Sequence, residues 1–401
     1  MFSKSMSQVP ISELEARINA FQKRLVENCI DVALIRQNSD LFYFSGTVQD
    51  AHLFIPACGD PVMFVYRSYD RAKRESSLKN VLPLDSIKAL PTLLGEMGLK
   101  GFSSLGLEMD VLPANLLFLY KKVFGANCSF TDISPVVRQV RAIKSNFEIL
   151  CIKDACAQIA AVVQKVPALF VSGMREIDLA AEIEKELRKA GHPGYLRVRG
   201  FNQELTMGQI LSGPDAALPS WTNTPGGGAG VCPAYGINAG FRILETGDPL
   251  SVDLGGSLNG YLCDQTRLFT VGKTSQKIRE YYQKICAVRD FIVELLQPGI
   301  KCGYIYEKTL KKADSLGISD YFMGVGRDKV RFIGHGLGIE IDEYPFISKG
   351  SEMILENGMA VAIEPKLLIP GLGLIGIEDT YLIDQDGCEK LTSSPEEIVA
   401  L

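Results

Sequence analysis

Five residues of types that bind divalent metal ions lie in segments with a strand or turn pattern: Asp253, Asp264, His335, Glu364 and Glu378. Both glutamates sit within apolar runs, AVAIEPKL and LIGIEDTYLI, which predict buried strands. Buried ionised groups need a counter-charge, because an isolated buried carboxylate is very costly. Four converging carboxylates and one imidazole match two divalent cations in charge, and oxygen-rich ligation suits Mn²⁺, Co²⁺, Fe²⁺ or Zn²⁺.

The two aspartates flank the segment DLGGSLNGYLCD, residues 253–264. Apolar residues alternate there with Gly255, Gly256, Asn259 and Gly260, which favour tight turns. The pattern predicts a hairpin that holds both carboxylates at one end. Taken alone, such a pair is more often a solvated turn than a metal site, so the argument depends on the three later ligands.

These residues resemble the dinuclear-metal ligands of the prolidase, aminopeptidase P, methionine aminopeptidase and creatinase family, in order, spacing and context. The matching motifs are D-x-G-x-x-x-x-G-Y-x-x-D-x-T-R at 253–267, G-H-G-x-G at 334–338, I-E-P at 363–365 and I-E-D at 377–379. The resemblance favours the Xaa-Pro peptidase branch and covers nearly the whole chain. It implies an α/β, ribonuclease H-like N-terminal domain of creatinase type at 11–142. It also implies an α+β "pita-bread" catalytic domain at 143–401, with a curved antiparallel sheet covered by helices.

The resemblance also implies a mechanism, which is peptide hydrolysis by a metal-bridging hydroxide. Asp253 and Asp264 would serve one ion, His335 and Glu364 the other, with Asp264 and Glu378 bridging. Glu364 matches the family's proton-handling glutamate. The resemblance favours manganese as the metal and a homodimer as the assembly.

Three positions depart from the family pattern. Ser220 and Asp342 stand where histidines contact the substrate, and Gly376 stands where an arginine is common. The chain has only three histidines, so no substitute lies within those motifs. Losing one donor to a tetrahedral intermediate costs about 2–4 kcal/mol, so rate or substrate should differ. Asp342 is a candidate for binding a substrate ammonium group, and Ser220 is a weak donor.

Three hypotheses follow. The first is a metallopeptidase that cleaves an N-terminal residue or a dipeptide, with Glu364, Asp342 and Ser220 as catalytic candidates. The second is an enzyme of the same fold that acts on a non-peptide amide or as a lyase, which the missing histidines favour. The third is a catalytically weak metal-binding homologue, which the intact ligand set argues against.

Composition narrows the class of protein. The 401 residues are 46% apolar and 22% charged, which suits two globular domains, and the net charge of −5 argues against a nucleic-acid partner. Neither a signal core nor a membrane-spanning run is found in the sequence, and ten scattered cysteines lack a C-x-x-C pair. We therefore expect a soluble, cytoplasmic protein with reduced thiols and a small peptide or amide substrate.

The elements that must position the ligands follow from periodicity. In the N-terminal domain DVALIRQ, LFYFSG, HLFIP and PVMFVY predict strands, and ISELEARINAFQKRLVENC predicts a helix. Further on, Ser145 to Glu148 form a capping box that opens the next domain, and helices are predicted at about 176–190 and 275–296. Gly371 to Gly376 match G-x-G-x-x-G, but a strand pattern follows where a dinucleotide site needs a helix. The PGGGAG segment at 225–230 is interpreted as a flexible loop near the site.

Overall fold

The computed structural model describes residues 8–401, which form two compact units. The N-terminal unit contains residues 8–141 together with the short segment Arg199–Asn202. The C-terminal unit contains Ala142–Val198 and Gln203–Leu401. The domain limits of 11–142 and 143–401 stay a prediction from the sequence.

The N-terminal unit is a mixed six-stranded sheet with the strand order β4-β3-β2-β1-β5-β6. Strands β1 and β2 are antiparallel, whereas β1 and β5 run parallel, so the sheet has the α/β character that was predicted. Its strands are β1 Val32–Ile35, β2 Ala51–Pro56, β3 Val62–Val65, β4 Val81–Pro83, β5 Ser104–Leu107 and β6 Ser129–Asp132. Its helices are α1 Ile11–Glu27, α2 Asn38–Ser45, α3 Tyr69–Glu75, α4 Leu90–Glu96, α5 Ala114–Phe124 and α6 Ser134–Ala142.

One element in this unit was predicted wrongly. The LFYFSG run is not a strand but the second half of α2. The side chain of Gln37 caps this helix by accepting from Asp40 N, and Gly46 ends it in a left-handed conformation, φ +77°. Most of the helix is buried, so its apolar run carries no period that separates helix from strand.

The C-terminal unit is built mainly of antiparallel strands in three sheets. Their orders are β11-β10-β12-β15-β16, β13-β14 and β17-β9-β8-β7. The strands are β7 Gly208–Ser212, β8 Pro249–Leu258, β9 Tyr261–Thr270, β10 Phe332–Gly336, β11 Glu343–Ser348, β12 Ala360–Ile363, β13 Lys366–Ile369, β14 Gly373–Gly376, β15 Asp379–Ile383, β16 Cys388–Lys390 and β17 Val399–Ala400.

The helices of this unit are α7 Asn146–Val163, α8 Val166–Leu169, α9 Glu176–Lys189, α10 Gln276–Glu294 and α11 Cys302–Ser315. The capping box predicted at Ser145 and Glu148 opens α7, and both long predicted helices are present as α9 and α10. Among the described residues, helices long and apolar enough to cross a membrane are absent.

Alternation along the strands separates core from site. Val361 and Ile363 of β12 join a buried cluster with Ile285 and Ile305 of the covering helices α10 and α11. Successive side chains of a strand point to opposite faces. Glu364, which directly follows Ile363, therefore faces away from this buried cluster. The same alternation places Ile377 in the core and Glu378 on the opposite face. Two apolar runs thus deliver carboxylates to one face.

Candidate metal centre

The predicted hairpin is formed by β8 and β9, which are joined by Asn259 and Gly260 with φ of +53° and +83°. Positive φ at both turn residues matches a type I′ turn, whose twist suits two antiparallel strands. In the strand register Asp253 lies opposite Thr266, and Asp264 lies opposite Gly255. The two aspartates are therefore diagonal neighbours on one face in the middle of the hairpin, not at its end as predicted.

His335 lies on β10 opposite Ala362 of β12, and the backbone N–H of Glu364 donates to Ile333 O at 3.1 Å. The His335 ring is 4% exposed. Its Nε2 atom lies 3.6 Å from Glu364 Oε1 and 3.9 Å from Asp264 Oδ2. Its Nδ1 atom lies 3.1 Å from Gly336 O. A proton on Nδ1 that bonds this carbonyl leaves Nε2 as the lone-pair nitrogen that a metal requires.

Glu378 lies between β14 and β15 and exchanges backbone hydrogen bonds with Thr266, both at 3.3 Å. Its Oε2 atom accepts from the Thr266 hydroxyl at 2.8 Å. Its Oε1 atom is buried and has no hydrogen-bond partner among the residues that the structure describes. A buried carboxylate oxygen without a partner is costly. This oxygen therefore points to a ligand that the chain itself does not supply.

The residues fit a divalent ion at one position. Asp264, His335 and Glu378 each offer one ligand atom, and the three atoms lie within 4.8 Å of one another. Two carboxylate oxygens and one imidazole nitrogen form a donor set that suits Mn²⁺, Fe²⁺, Co²⁺ or Zn²⁺. Three of the five predicted ligands are thus brought together around a common point.

The other two predicted ligands are engaged by Lys366, which the sequence analysis missed. The Nζ atom of Lys366 donates to Asp253 Oδ2 at 2.9 Å, to Glu364 Oε2 at 2.8 Å and to Glu378 Oε2 at 3.0 Å. The lysine side chain is 2% exposed. A charged residue inside the apolar run AVAIEPKLLIP was the available signal. The sequence analysis balanced the four carboxylates against two divalent ions and did not include the positive charge of Lys366.

Charge and burial shift several pKa values in the cluster. Burial, with the neighbouring carboxylates of Glu378 and Asp253, raises the pKa of Asp264 well above its usual range. Burial also raises the pKa of Glu378 to about 8, although the Lys366 ammonium opposes the shift. Burial opposes a charge on Lys366, but the surrounding carboxylates outweigh it and raise its pKa. In the metal-free protein the cluster therefore holds protons that divalent ions would displace.

Two residues beyond the predicted set hold the ligands in place. Arg267 Nη1 donates to the carbonyl oxygens of Thr266 and Glu378, both at 2.8 Å. The Thr380 hydroxyl accepts from Asp264 N at 3.1 Å and donates to Asp264 O at 2.9 Å. Because all four hydrogen bonds involve backbone atoms, they leave the carboxylates of Asp264 and Glu378 directed into the cluster.

Ser220 and Asp342 lie apart from the ligand atoms in different ways. The Ser220 hydroxyl donates to Gly236 O at 3.2 Å, and Ser220 lines a cavity of about 240 Å³ together with Thr222 and Leu368. Asp342 is 47% exposed, and its Oδ1 lies 3.6 Å from His335 Nδ1. Asp342 thus contacts the side of the imidazole that faces away from the carboxylates.

The glycine-rich segments have structural roles. Residues 225–228 are buried, and a Cβ on Gly227 would lie 2.2 Å from Ser220 Cβ, so the PGGGAG segment packs closely on Ser220. The G-x-G-x-x-G match forms the turn and second strand of the β13-β14 hairpin and leads to β15, as predicted. It therefore lacks the helix that a dinucleotide site needs.

The other two histidines are engaged elsewhere. His52 is 1% exposed, and its Nε2 lies 3.1 Å from the Tyr120 hydroxyl. His192 is 2% exposed, with Nε2 3.0 Å from Gly255 O, and its Nδ1 accepts from Gly194 N. Burial lowers the pKa of His52 to about 3 and that of His192 to about 4. His335 is therefore the histidine of the candidate site.

Comparisons with known proteins match both parts of the chain. The model of Metallopeptidase family M24 matches residues 150–385, and the model of the Creatinase/Prolidase N-terminal domain matches residues 17–143. The Xaa-Pro dipeptidase of Pyrococcus horikoshii is 30% identical over 391 residues, which cover 95% of this chain and 99% of that protein.

Solved structures extend the likeness to the fold. The crystal structure of the prolidase from Pyrococcus horikoshii has a TM-score of 0.79 at 27% identity and covers 96% of this chain and 100% of that one. The Xaa-Pro dipeptidase from Bacillus anthracis has a TM-score of 0.82 at 25% identity, with 97% and 100% covered. The likeness spans both units.

Proposed function

Because the chain belongs to metallopeptidase family M24, we propose that it is a metal-dependent hydrolase of small peptides, of the Xaa-Pro dipeptidase type. Membership confirms the family and the fold class that the sequence predicted. The observation that carries the proposal is the convergence of Asp264, His335 and Glu378, in which Glu378 Oε1 is buried without a hydrogen-bond partner among the described residues. We would not expect a vestigial metal site to retain this buried oxygen, because a buried carboxylate oxygen without a hydrogen bond destabilises the folded protein.

The residues would divide the work as follows. Asp264, His335 and Glu378 would hold one ion, and Asp253 with Glu364 would hold a second once Lys366 releases their oxygens. This division differs from the one that the resemblance implied, in which Glu364 shared an ion with His335, because Lys366 Nζ bonds both Asp253 and Glu364. Bound divalent ions polarise a carbonyl group and acidify water, which is the chemistry that amide hydrolysis requires. Glu364 is our candidate for moving the proton from water to the leaving amine, because its Oε1 faces the cluster beside His335 Nε2.

The substrate contacts are proposed for two residues outside the metal-ligand set. Asp342, which is half-exposed beside His335, would bind the ammonium group of a peptide. Ser220 would offer its hydroxyl from the wall of its own cavity, which the predicted metal ligands do not line. Ten free thiols suit a reducing cytoplasm. The preference for manganese and the homodimer stay predictions that rest on the resemblance.

The test begins with protein stripped of metal by a chelator and reloaded with Mn²⁺, Co²⁺ or Zn²⁺. Hydrolysis of an Xaa-Pro dipeptide, an Xaa-Ala dipeptide and a longer Xaa-Pro peptide would be measured for the parent and for Asp264→Asn. We expect metal-dependent hydrolysis of the Xaa-Pro dipeptide that falls at least about 100-fold in the variant, because a ligand is lost. Hydrolysis that survives removal of the metal would contradict the proposal.

One observation favours a second candidate function, hydrolysis of a non-peptide amide or a lyase reaction. Ser220 and Asp342 replace the substrate-site histidines expected from the family, and the remaining histidines, His52 and His192, are buried and bonded elsewhere. The double variant with Ser220→His and Asp342→His separates the candidates. It should raise kcat on peptides if the protein is a peptidase. Intact, metal-loaded parent and variant that hydrolyse no peptide would favour the second candidate.

A further inference from the structure

The ammonium group of Lys366 has the surroundings of a bound cation. It has three N–H donors, and each is used by a different carboxylate, at 2.8 to 3.0 Å. All three acceptors, Asp253, Glu364 and Glu378, are predicted to ligate metal, and Asp253 and Glu364 are the two that lie outside the group formed by Asp264, His335 and Glu378. A metal ion held by both would need their oxygens at about 2.0–2.2 Å. The ion and the ammonium therefore compete for the same atoms.

The strand opposite Lys366 is shaped to admit its side chain. Lys366 of β13 pairs in register with Gly376 of β14. A Cβ on Gly376 would lie 2.5 Å from the lysine Cγ, closer than carbon atoms pack. Gly376 is also the position at which the resemblance predicted an arginine. The basic group is thus supplied from the neighbouring strand, and the absence of a side chain at position 376 makes room for it.

The two ion positions are consequently unequal. Glu378 gives Oε2 to Lys366 and Thr266, whereas its buried Oε1 has no partner among the described residues. Asp264 and His335 lie around that free oxygen, and neither is hydrogen-bonded to Lys366 in the structure. At the position of Asp253 and Glu364 the chain supplies a positive charge, the Lys366 ammonium. At the position of Asp264, His335 and Glu378 Oε1 this ammonium makes no hydrogen bond in the structure.

We propose that Lys366 is a tethered cation that competes with one of the two metal ions. The protein binds one divalent ion tightly through Asp264, His335 and Glu378. It binds a second ion weakly, because that ion must displace the ammonium from Asp253 and Glu364. The proposal rests on the metal dependence in the proposed function and specifies how unequal the two ion positions are.

Titration of the stripped protein with Mn²⁺ alone tests this proposal, by calorimetry and by metal analysis after equilibrium dialysis. The second dissociation constant of the parent should exceed the first by at least about tenfold, because the second ion must displace the Lys366 ammonium from its carboxylates. In Lys366→Met, which keeps the apolar stem and removes the charge, the second ion should bind at least about tenfold more tightly. The first constant should change little.

Lys144→Met is the matched control. Lys144 is also buried, with 1% of its side chain exposed, but its Nζ donates to Glu343 Oε2 and not to a predicted ligand. Loss of that ammonium should leave both Mn²⁺ constants unchanged. A second variant, Gly376→Ala, keeps the lysine charge but places a methyl group against its stem. It should displace the ammonium and tighten the second site, and it serves if Lys366→Met fails to fold.

Two results would overturn the proposal. One is a parent protein whose two Mn²⁺ constants differ by less than about tenfold. The other is a second constant that neither Lys366→Met nor Gly376→Ala changes. The titration uses no substrate, so a protein that hydrolyses no peptide yet shows the unequal sites would refute the proposed function and leave this inference standing.

Discussion

Two clusters of charge lie on either side of the peptide bond between Glu378 and Asp379, and they are organised in opposite ways. The ligand cluster contains Asp253, Asp264, His335, Glu364, Lys366 and Glu378. The paired cluster contains Arg267, Arg289, Asp379, Lys390 and Glu396. Acidic groups outnumber basic ones in the first, and basic groups outnumber acidic ones in the second.

In the paired cluster each carboxylate is bonded within the chain. Asp379 binds Arg267 at 2.6 Å, Lys390 at 3.2 Å and Arg289 at 3.3 Å. Hydrogen bonds and charge from Arg289 and Lys390 outweigh burial and lower the pKa of Glu396 to about 2. In the ligand cluster burial raises the pKa of Glu378 to about 8, and its Oε1 has no hydrogen-bond partner within residues 8–401. Complete pairing marks the cluster that stabilises the fold, and incomplete pairing marks the one that awaits a ligand.

The largest effect is expected from breaking the paired cluster. Asp379→Ala should lower the free energy of unfolding by about 3–5 kcal/mol, because it leaves Arg267 buried without its carboxylate. Urea unfolding followed by circular dichroism measures this. The control is Glu352→Ala, which removes an exposed partner of Lys301 and should cost less than about 0.5 kcal/mol. Equal losses in the two variants would contradict the structural role of the paired cluster.

The next effect is opposite pH dependence of the two clusters in metal-stripped protein. Glu378 has a folded pKa of about 8 against a usual value of 4.5, so the folded state holds more protons between these values. Its contribution to stability is complete below about pH 4.5 and is lost as pH rises toward 8. Glu396, at about 2, contributes above its usual pKa of 4.5 and loses that contribution as pH falls.

Urea unfolding of stripped protein across this range measures both limbs. Glu378→Gln should reduce the decline toward alkaline pH, to which Asp264 also contributes, and Glu396→Gln should reduce the decline toward acid. Added Mn²⁺ should also remove the alkaline decline, because ions replace the bound protons. A stripped protein whose free energy of unfolding does not fall between about pH 5 and about pH 8 would contradict the raised pKa of Glu378.

The sequence predicted much of this organisation for identifiable physical reasons. Asn259 and Gly260 specify a turn, and the apolar runs around Glu364 and Glu378 specify buried strands, so the hairpin and the two buried glutamates could be predicted. The prediction of a strand at LFYFSG was wrong, because a short run that is buried on most sides shows no hydrophobic period that separates helix from strand. Lys366 was missed because its role depends on a cross-strand partner, Gly376, and register is not visible in a single strand's pattern.

The smallest effect concerns Asp342, at the edge of the ligand cluster. Burial opposes a charge on His335, but the carboxylates of Asp342, Glu364 and Glu378 outweigh it and raise its pKa. The Asp342 side chain is 47% exposed, so water screens its 3.6 Å contact with Nδ1 and the change on losing it is modest. Asp342→Asn should therefore lower the pKa of His335 in stripped protein without changing the fold.

Nuclear magnetic resonance of the imidazole groups measures this shift directly, because the chain has only three histidines. His52 and His192 have pKa values lowered to about 3 and about 4 by burial, so a ring that titrates above the usual histidine value identifies His335. Asp290→Asn is the control, since it removes an equal charge that is 63% exposed and bonded to Arg289. A His335 pKa that Asp342→Asn leaves unchanged would remove Asp342 from the electrostatics of the ligand cluster. A lowered pKa would show that the Asp342 carboxylate stabilises the charged form of the imidazole, whose other nitrogen faces the carboxylates of the cluster. The electrostatics of the ligand cluster would then include this half-exposed residue.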